Sequence, residues 1–341
     1  MAIRTLVWIG AGRPRSDYLS DGDVGRLEAL GPVRFIVTAG RKFAPQDVID
    51  ESRQVQAVLT TWSSPAYTDE VLGGCGELRF LGRIGGSVRG IVGQSAWERG
   101  IAVVTAVDMQ GRGMAEITLT LMLAGLHRLG HHLRRQAGQE ILEHDGSNRG
   151  LQHAALQDCR VGLIGFGAIA QHVARRLAAF ECRVAAYDPY VPDETLEALG
   201  VRRAGSVEAL CEAADVVSVH AARLPQTRGI LSAAAIDRLR PGAMVVNTAF
   251  YDLMDHDALE RRVMAGEIHL ALDDLDVLGP AQAQRIARLR TSPNCIITPV
   301  TFPNSACVAM MGRQVVDELE CFVRGEPLRY AVARQSLATR G

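Results

Sequence analysis

A glycine-rich turn follows a short apolar run near the middle of the 341-residue chain. Residues 160–164 have the composition of a buried strand, and apolar residues recur at helical spacing from Gln171 to Phe180. Between the two patterns stand Gly165, Phe166, Gly167, Ala168, Ile169 and Ala170. A turn of this kind brings backbone N–H groups and the positive end of a helix dipole to one point, which can bind a phosphate or a pyrophosphate.

An acidic residue ends the next apolar run, at Asp188. Its carboxylate can accept hydrogen bonds from both hydroxyls of a ribose, and it would repel the additional phosphate of NADP. Gly165 permits the sharp turn, and Gly167 lets the backbone approach a pyrophosphate. The third glycine of the usual pattern is Ala170, which adds a methyl group where helix and strand pack. The spacing predicts an NAD site, and the alternative is a purely structural glycine turn.

Composition limits the class of protein. The chain has 37 basic and 38 acidic residues and lacks a basic tract with interleaved aromatic residues, so nucleic acid and anionic membranes are not expected as partners. The longest apolar run, at 117–126, is too short to span a bilayer. The seven cysteines form no C-x-x-C pair and are expected to be buried thiols in a reducing compartment. We therefore expect a cytoplasmic protein that acts on a small molecule.

Two histidines stand four residues apart on a predicted helix, at His127 and His131. This spacing could place both side chains on one metal ion, but no third ligand lies at metal-site spacing. A polar helix end is the simpler interpretation, and we predict no metal site.

Short apolar runs alternate with helical patterns along the chain, which predicts an α/β fold with parallel sheets. The predicted strands lie at residues 5–9, 33–38, 57–61, 78–82, 101–105, 160–164, 215–220, 244–247, 268–272 and 295–297, and a further strand is closed by Asp188. A helix is predicted at 113–129, an exposed connection at 134–157, and a last helix at 307–323 that returns to the first domain. The predicted domains are residues 1–108 with 308–341 and, inserted between them, the dinucleotide-binding domain at 109–307.

With these motifs placed, the chain resembles the D-isomer-specific 2-hydroxyacid dehydrogenases from about residue 55 to residue 330. The matching segments are LRFLGRIGGSVRGIVGQSAWERGIAV, AEITLTLMLAGLHR, VGLIGFGAIAQHVARRL, ADVVSVHAARLPQTRGI, LRPGAMVVNTA, ALDDLD and NCIITP. The resemblance implies two flavodoxin-like or Rossmann-like domains with NAD and the active site in the cleft between them, in a homodimer.

The resemblance also implies roles for individual residues. On the cofactor side, Phe166, Gly167, Ala168 and Ile169 would lie under the pyrophosphate, Asp188 at the adenosine ribose, His220 and Thr227 along the cofactor, Thr248 and Ala249 at the nicotinamide ribose, and Asp273 at the carboxamide. In the first domain, the backbone amides of Gly86, Ser87 and Val88 would hold the substrate carboxylate. Arg83, which flanks this loop, and Trp62 and Ser63, which follow the strand ending at Thr61, are further candidates for substrate binding. The alternative for this loop is a glycine turn after a buried strand.

The catalytic side departs from the family. Phe250 stands where the family has an arginine, Leu278 or Gly279 where it has a glutamate before Pro280, and Val300 where it has a histidine. None of these side chains can transfer a proton or bind an anion. Tyr251 and Arg112 are the first predicted replacements. Weaker candidates, each with a packing or solvated alternative, are Ser64, Arg89, Arg223, Asp252, Asp274 and Asp276.

Two functions follow from this combination. The first is an NAD(H)-dependent oxidoreductase with rearranged catalytic residues, which includes redox-neutral chemistry in which the hydride leaves and returns within one turnover. The alternative is a catalytically silent NAD(H)-binding sensor, whose domain closure would report cofactor state to a partner. An ordinary dehydrogenase of the family is disfavoured by Phe250 and Val300.

Overall fold

The computed structural model describes residues 2–138, 155–273, 279–299 and 304–338. The chain forms two compact units, Met1–Gln110 with Pro303–Gly341, and Gly111–Phe302. The second unit is thus a continuous stretch between two segments of the first. These limits lie two residues beyond the predicted boundary at 108 and five residues before the predicted boundary at 308.

The first unit contains a five-stranded parallel sheet whose strands are rich in valine, leucine and isoleucine. Its elements, in chain order up to the second unit, are β1 (Thr5–Ile9), α1 (Arg15–Tyr18), α2 (Asp21–Leu30), β2 (Val33–Val37), α3 (Pro45–Ser52), β3 (Ala57–Thr60), α4 (Asp69–Gly74), β4 (Phe80–Arg83), α5 (Ser95–Glu98) and β5 (Ala102–Thr105). The strand order is β2-β1-β3-β4-β5, and every pair is parallel. All strands except β2 are almost entirely buried, as expected for a sheet covered on both faces.

The second unit contains a seven-stranded parallel sheet. This unit begins within α6 (Val107–Leu126), whose first residues belong to the first unit. Its elements in chain order are α6, α7 (Leu129–Gln136), β6 (Arg160–Ile164), α8 (Ala168–Leu177), β7 (Arg183–Tyr187), α9 (Asp193–Glu197), β8 (Arg202–Arg203), α10 (Val207–Ala213), β9 (Val216–Val219), α11 (Ala233–Asp237), β10 (Met244–Asn247), α12 (His256–Met264), β11 (His269–Leu272), α13 (Pro280–Leu289) and β12 (Cys295–Ile297). The strand order is β12-β11-β10-β9-β6-β7-β8, with parallel pairs throughout. The predicted α/β class with parallel sheets is confirmed.

Parallel strands place all their carboxyl ends at one edge of a sheet, which we call the carboxyl edge. In each sheet the first strand in the chain has a neighbour on both sides: β1 lies between β2 and β3, and β6 lies between β7 and β9. Open parallel sheets bind ligands at the carboxyl edge where the strand order reverses in this way. A ligand of the second unit is therefore expected at the loops that follow β6 and β9.

The last helix, α14 (Ser305–Arg324), packs on the first unit against α1, α2 and β4. Asn304 caps its N-terminus by accepting a hydrogen bond from the Cys307 N–H, and Gly325 ends it in a left-handed conformation. A Cβ atom on Gly312 would lie 1.7 Å from the carbonyl oxygen of Tyr18. Only glycine allows the two helices to approach this closely.

Two sequence predictions of helix limits are wrong. The helix predicted at 113–129 is α6, which begins at Val107 and ends at Leu126. The exposed connection was predicted from Arg134 onwards, but Arg134 lies within α7, which runs to Gln136. Arg128, with φ of 55°, separates the two helices, and this break is invisible in the hydrophobic pattern.

Among the described helices, none combines the length and the hydropathy that a membrane crossing requires.

Candidate functional site

The glycine turn of the second unit has the geometry of an anion-binding loop. Gly165 has φ of +88°, and a Cβ atom there would lie 2.7 Å from the backbone nitrogen of Ala221. Gly167 is the N-cap of α8, and among the described residues no atom lies within 4 Å of a Cβ atom built on it. No side chain caps this helix within the described part of the chain. The first turn of α8 therefore presents its N–H groups to open space, and the residues present fit a pyrophosphate.

Asp188 is fixed directly beside this turn. One carboxylate oxygen accepts a hydrogen bond from the Phe166 N–H at 2.8 Å, and the other accepts one from the Tyr190 N–H at 2.9 Å. Each oxygen keeps further acceptor capacity, so the carboxylate can still accept ribose hydroxyls. The carboxylate thus lies where the adenosine half of a dinucleotide would extend from the turn.

We expect Asp188→Ser to weaken NADH binding about tenfold, because charge-assisted hydrogen bonds to a ribose would be lost, and to raise the preference for NADPH. Fluorescence titration with both nucleotides measures the two affinities. Asp193→Ser is the matched control, since it removes an exposed carboxylate that pairs with Arg203 near the same strand end. An unchanged NADH to NADPH ratio in Asp188→Ser would show that this carboxylate does not set cofactor preference.

The remaining predicted cofactor residues follow β9, β10 and β11 at the same carboxyl edge. Thr248 is buried, and its hydroxyl lies 3.0 Å from that of Thr118 on α6. Asp273 is buried and accepts a hydrogen bond from Thr298, and Ala249 donates its N–H to Asn247. These residues follow neighbouring strands of the sheet. They therefore lie along the carboxyl edge on one side of the glycine turn, and Asp188 lies on the other side.

His220 and Thr227 lie in the loop after β9. The Nε2 atom of His220 is 2.9 Å from the Ser218 hydroxyl, while its buried Nδ1 atom has no hydrogen-bond partner among the described residues. Burial lowers the pKa of His220 to about 4, so the ring is neutral at pH 7. Thr227 accepts a hydrogen bond from the Leu224 N–H and donates one to Ala222, which makes it a turn-stabilising residue.

Phe250 and Tyr251 follow β10 and point into different surroundings. The Phe250 ring is 36% exposed, and the Arg223 guanidinium carbon lies 4.9 Å from its centroid. The Tyr251 ring belongs to the hydrophobic core and stacks on His256 with centroids 3.6 Å apart. Burial raises the pKa of the Tyr251 hydroxyl, although the nearby Arg285 opposes that shift. The catalytic role of Tyr251 stays a prediction, and its surroundings favour packing.

Tyr251→Phe separates these two roles. If the ring only packs, we expect turnover to remain within about twofold of the native protein and the free energy of unfolding to change by less than ~1 kcal/mol. A general acid contributes roughly 100-fold or more, so a loss of that size with an unchanged fold would assign the hydroxyl to proton transfer. Steady-state kinetics and urea denaturation measure the two quantities.

Arg112 is an exposed residue of α6. Its neighbour Gly111 packs closely against α8, since a Cβ atom there would lie 2.9 Å from the His172 ring and 3.3 Å from Ala168. The backbone at Arg112 is therefore near the start of α8. Whether its guanidinium acts on a substrate stays a prediction.

The predicted carboxylate loop of the first unit follows β4. Among the described residues, no acceptor takes a hydrogen bond from the backbone N–H of Gly86, Ser87 or Val88. The side-chain oxygen of Gln110 is buried without a described partner, and it would lie 2.4 Å from a Cβ atom on Gly86. These three consecutive N–H groups are available as donors to an anion such as a carboxylate.

Arg83 ends β4 directly before this loop. It is 5% exposed, and its Nη1 group donates to the carbonyl oxygen of Thr61 at the end of the neighbouring strand β3. No described carboxylate lies within ion-pair distance of it, and burial lowers the pKa of its guanidinium to about 10. The group is thus a buried cation at the carboxyl edge of the first sheet.

Trp62 and Ser63 follow β3 at the same edge. Ser63 has φ of +62°, and the Trp62 ring lies 6.2 Å from that of Tyr18. Because β3 and β4 pair in parallel, Trp62 and Ser63 follow one strand and Arg83 and the loop at Gly86 follow its neighbour at the same edge.

Several predicted positions lie outside the described residues, namely Asp274, Asp276, Leu278 and Val300. Gly279 is described and forms the N-cap of α13, where it carries no polar side chain.

Comparison with known proteins identifies the family. Residues 119–301, more than half of the chain, match the model of the D-isomer specific 2-hydroxyacid dehydrogenase NAD-binding domain. This chain belongs to the D-isomer specific 2-hydroxyacid dehydrogenase family. NAD is therefore its cofactor, and the predicted family is confirmed.

Individual relatives agree with this family assignment. A D-3-phosphoglycerate dehydrogenase from Methanocaldococcus jannaschii is 29% identical over 312 residues, which cover 91% of this chain and 57% of that protein. A hydroxypyruvate reductase from Thermotoga maritima is 30% identical over 243 residues, covering 71% and 76% of the two chains. The chain spans little more than half the length of the phosphoglycerate dehydrogenases that it matches.

A phosphoglycerate oxidoreductase structure from Rhizobium etli superimposes with a TM-score of 0.77 over 98% of this chain and 99% of its own, at 20% identity. At that identity the likeness supports the two-domain dehydrogenase fold alone.

Proposed function

We propose that this family member is an NAD(H)-dependent oxidoreductase acting on a small carboxylate-bearing molecule, with 2-oxo and 2-hydroxy acids as the first class to test. The observation that carries the proposal is the set of three consecutive N–H groups at Gly86, Ser87 and Val88. Groups of this kind bind a carboxylate through fixed dipoles that need no rearrangement. No other described feature of the loop uses them.

Arg83 supports the same conclusion from the other side of the loop. A buried cation without a described carboxylate partner is costly, and an anion that approaches it relieves part of that cost. A Cβ atom on Gly85 would lie 3.0 Å from the Arg83 Nε atom, so the guanidinium lies against the backbone of the loop. The charge and the amides can therefore act on one carboxylate.

We propose that the active site is non-standard, since Phe250, Leu278 or Gly279, and Val300 replace ionisable family residues. When bound, NAD supplies hydride exchange. The chain would contribute the carboxylate loop, the cradle at Gly167 and a proton source among Arg112, Tyr251 and solvent. Net redox turnover and redox-neutral turnover both remain compatible with this set.

The test is NADH consumption with a panel of 2-oxo acids that includes bulky and aromatic members, followed by the loss of reduced-nicotinamide absorbance. Consumption with one member supports the proposal, and Arg83→Met should then raise its KM at least ~10-fold, because a charge-assisted contact is lost. Arg79→Met, a nearby change that leaves the loop intact, is the control. Bound NADH without consumption of any member would favour the cofactor sensor instead.

A further inference from the structure

Arg223 and Phe250 lie in loops that follow neighbouring strands of the second sheet. Arg223 follows β9, Phe250 follows β10, and the two strands pair in parallel. Both residues therefore lie at the carboxyl edge, where open parallel sheets bind their ligands. The 4.9 Å distance between the guanidinium carbon and the ring centroid is that of a cation–π contact.

A second contact orients the same guanidinium. The Nε group of Arg223 donates to a carboxylate oxygen of Asp252 at 3.1 Å. The other carboxylate oxygen of Asp252 is buried and has no hydrogen-bond partner among the described residues. Held by a carboxylate on one side and an aromatic face on another, the guanidinium has a fixed position although half of its side chain is exposed.

The strand order indicates which half of a bound dinucleotide lies nearer to Arg223. Strands β9 and β10 lie on one side of β6, and β7, which carries Asp188 at its end, lies on the other. With the pyrophosphate at the turn after β6 and the adenosine ribose at Asp188, the second half of the cofactor extends along the loops after β9 and β10. This half carries the nicotinamide, where the reaction occurs.

The other basic side chains in these two loops are less suited to bind a substrate. Arg228 is 77% exposed and lies 4.0 Å from Asp252, at the limit of an ion pair. His220 is neutral at pH 7 because burial lowers its pKa to about 4. Within the described residues of these loops, Arg223 is the cation that two contacts orient.

We propose that Arg223 is the substrate-binding cation of the second unit, and that its guanidinium, held by Asp252 and the Phe250 ring, binds the oxygen of a 2-oxo group. When C2 of a 2-oxo acid accepts a hydride from NADH, which leaves NAD⁺, the carbonyl π pair moves to that oxygen, which then takes up one proton from solvent. The guanidinium stabilises the negative charge on the oxygen and is not the proton donor. This inference rests on the proposed function.

A side chain at position 250 that is longer than phenylalanine would reach the region that the Arg223 guanidinium occupies. Because the Phe250 ring contacts the Arg223 guanidinium, an arginine at position 250 can place its own guanidinium within a few ångströms of that of Arg223. Relocating the charge in this way gives a rescue experiment that a merely structural role of Arg223 would fail.

The experiment compares the native protein with Arg223→Ala, Arg223→Ala/Phe250→Arg and the control Arg228→Ala. NADH affinity is measured by fluorescence, the affinity of oxamate for the NADH complex by calorimetry, and turnover with the 2-oxo acid panel. We expect Arg223→Ala to bind NADH normally, to bind oxamate about 30-fold more weakly, and to lose at least ~100-fold in kcat/KM. The double variant should recover about tenfold of each loss, and Arg228→Ala should match the native protein.

The outcomes separate the two proposals. Oxamate binding and turnover that survive in Arg223→Ala would overturn the role of Arg223 and leave the proposed function standing. Loss in Arg223→Ala that the double variant does not recover, together with weakened NADH binding, would also overturn it, because the residue would then support the loop. A native protein that binds NADH but neither binds oxamate nor consumes NADH with any 2-oxo acid would overturn both.

Discussion

Gly167→Val is expected to weaken NADH binding at least ~100-fold without unfolding the protein, because a branched side chain would occupy the space that a pyrophosphate needs. The backbone of Gly167, with φ of −74°, is accessible to any residue, and the space around it is open among the described residues. Fluorescence titration gives the affinity, and urea denaturation gives the free energy of unfolding. The two measurements together distinguish a blocked site from a damaged fold.

Gly205→Val is the matched control, since Gly205 is exposed and, like Gly167, precedes a helix and has no close neighbours among the described residues. It should bind NADH as the native protein does. Gly165→Ala should behave differently from both, because its φ of +88° and its 2.7 Å approach to Ala221 make the substitution costly to the fold. If Gly167→Val bound NADH with native affinity, the prediction that the pyrophosphate lies at this turn would be contradicted.

The free energy of unfolding should fall by about 1 to 2 kcal/mol per buried histidine between pH 7 and pH 5, with three histidines contributing. Burial lowers the pKa of His220, His256 and His269 to about 4 in each case, with nearby Arg285 and Arg128 adding to the shift at His256 and His269. An unfolded histidine has a pKa near 6.5. The stabilisation is therefore complete above pH 6.5 and is lost as the pH falls towards 4, because the unfolded chain binds more protons.

Urea denaturation at pH 7.0, 6.0 and 5.0 measures this slope. His256→Gln keeps a planar side chain beside Tyr251 and removes one of the three titrations, so its slope should be smaller by about one third. A free energy that does not vary between pH 7 and pH 5 would contradict the prediction.

Most strands could be predicted from the sequence because they are buried on both faces. Runs such as Thr5–Ile9, Arg160–Ile164 and Met244–Asn247 have the same limits in the structure as in the prediction. Such runs consist of apolar and β-branched residues bounded by polar turns, and burial in a parallel sheet requires that composition. Helix ends were harder, since α6 begins with Val107, Asp108 and further residues that lack a continuous apolar stripe.

The glycine turn was predictable for a different reason. Gly165 and Asp188 belong to one continuous strand-turn-helix-strand segment. Their spacing in the sequence is therefore sufficient to predict the turn and the acidic residue beside it. The family resemblance added residues that no local pattern identifies, such as Thr248 and Asp273.

The surroundings of Tyr251 and Phe250 could not be predicted. Adjacent residues after a strand can face the core or the edge, and the choice depends on neighbours such as His256 and Arg223 that are distant in the sequence or belong to another strand. Arg223 was one of several weak candidates, and no pattern in the sequence pairs it with Phe250. The nearest available signal was the acid at Asp252, two residues beyond the phenylalanine.

The return of α14 to the first unit has a consequence for biosynthesis. Strands β1 to β5 leave the ribosome first, but the helix that covers α1, α2 and β4 is made only after the whole second unit. Until residue 324 emerges, a nascent chain exposes the apolar surface around Tyr18 and Phe80 that α14 will bury, whereas the second unit is continuous and can fold during synthesis. Of these two units, the one that begins earlier along the chain therefore completes its folding later, and it exposes this apolar surface while the other unit is made.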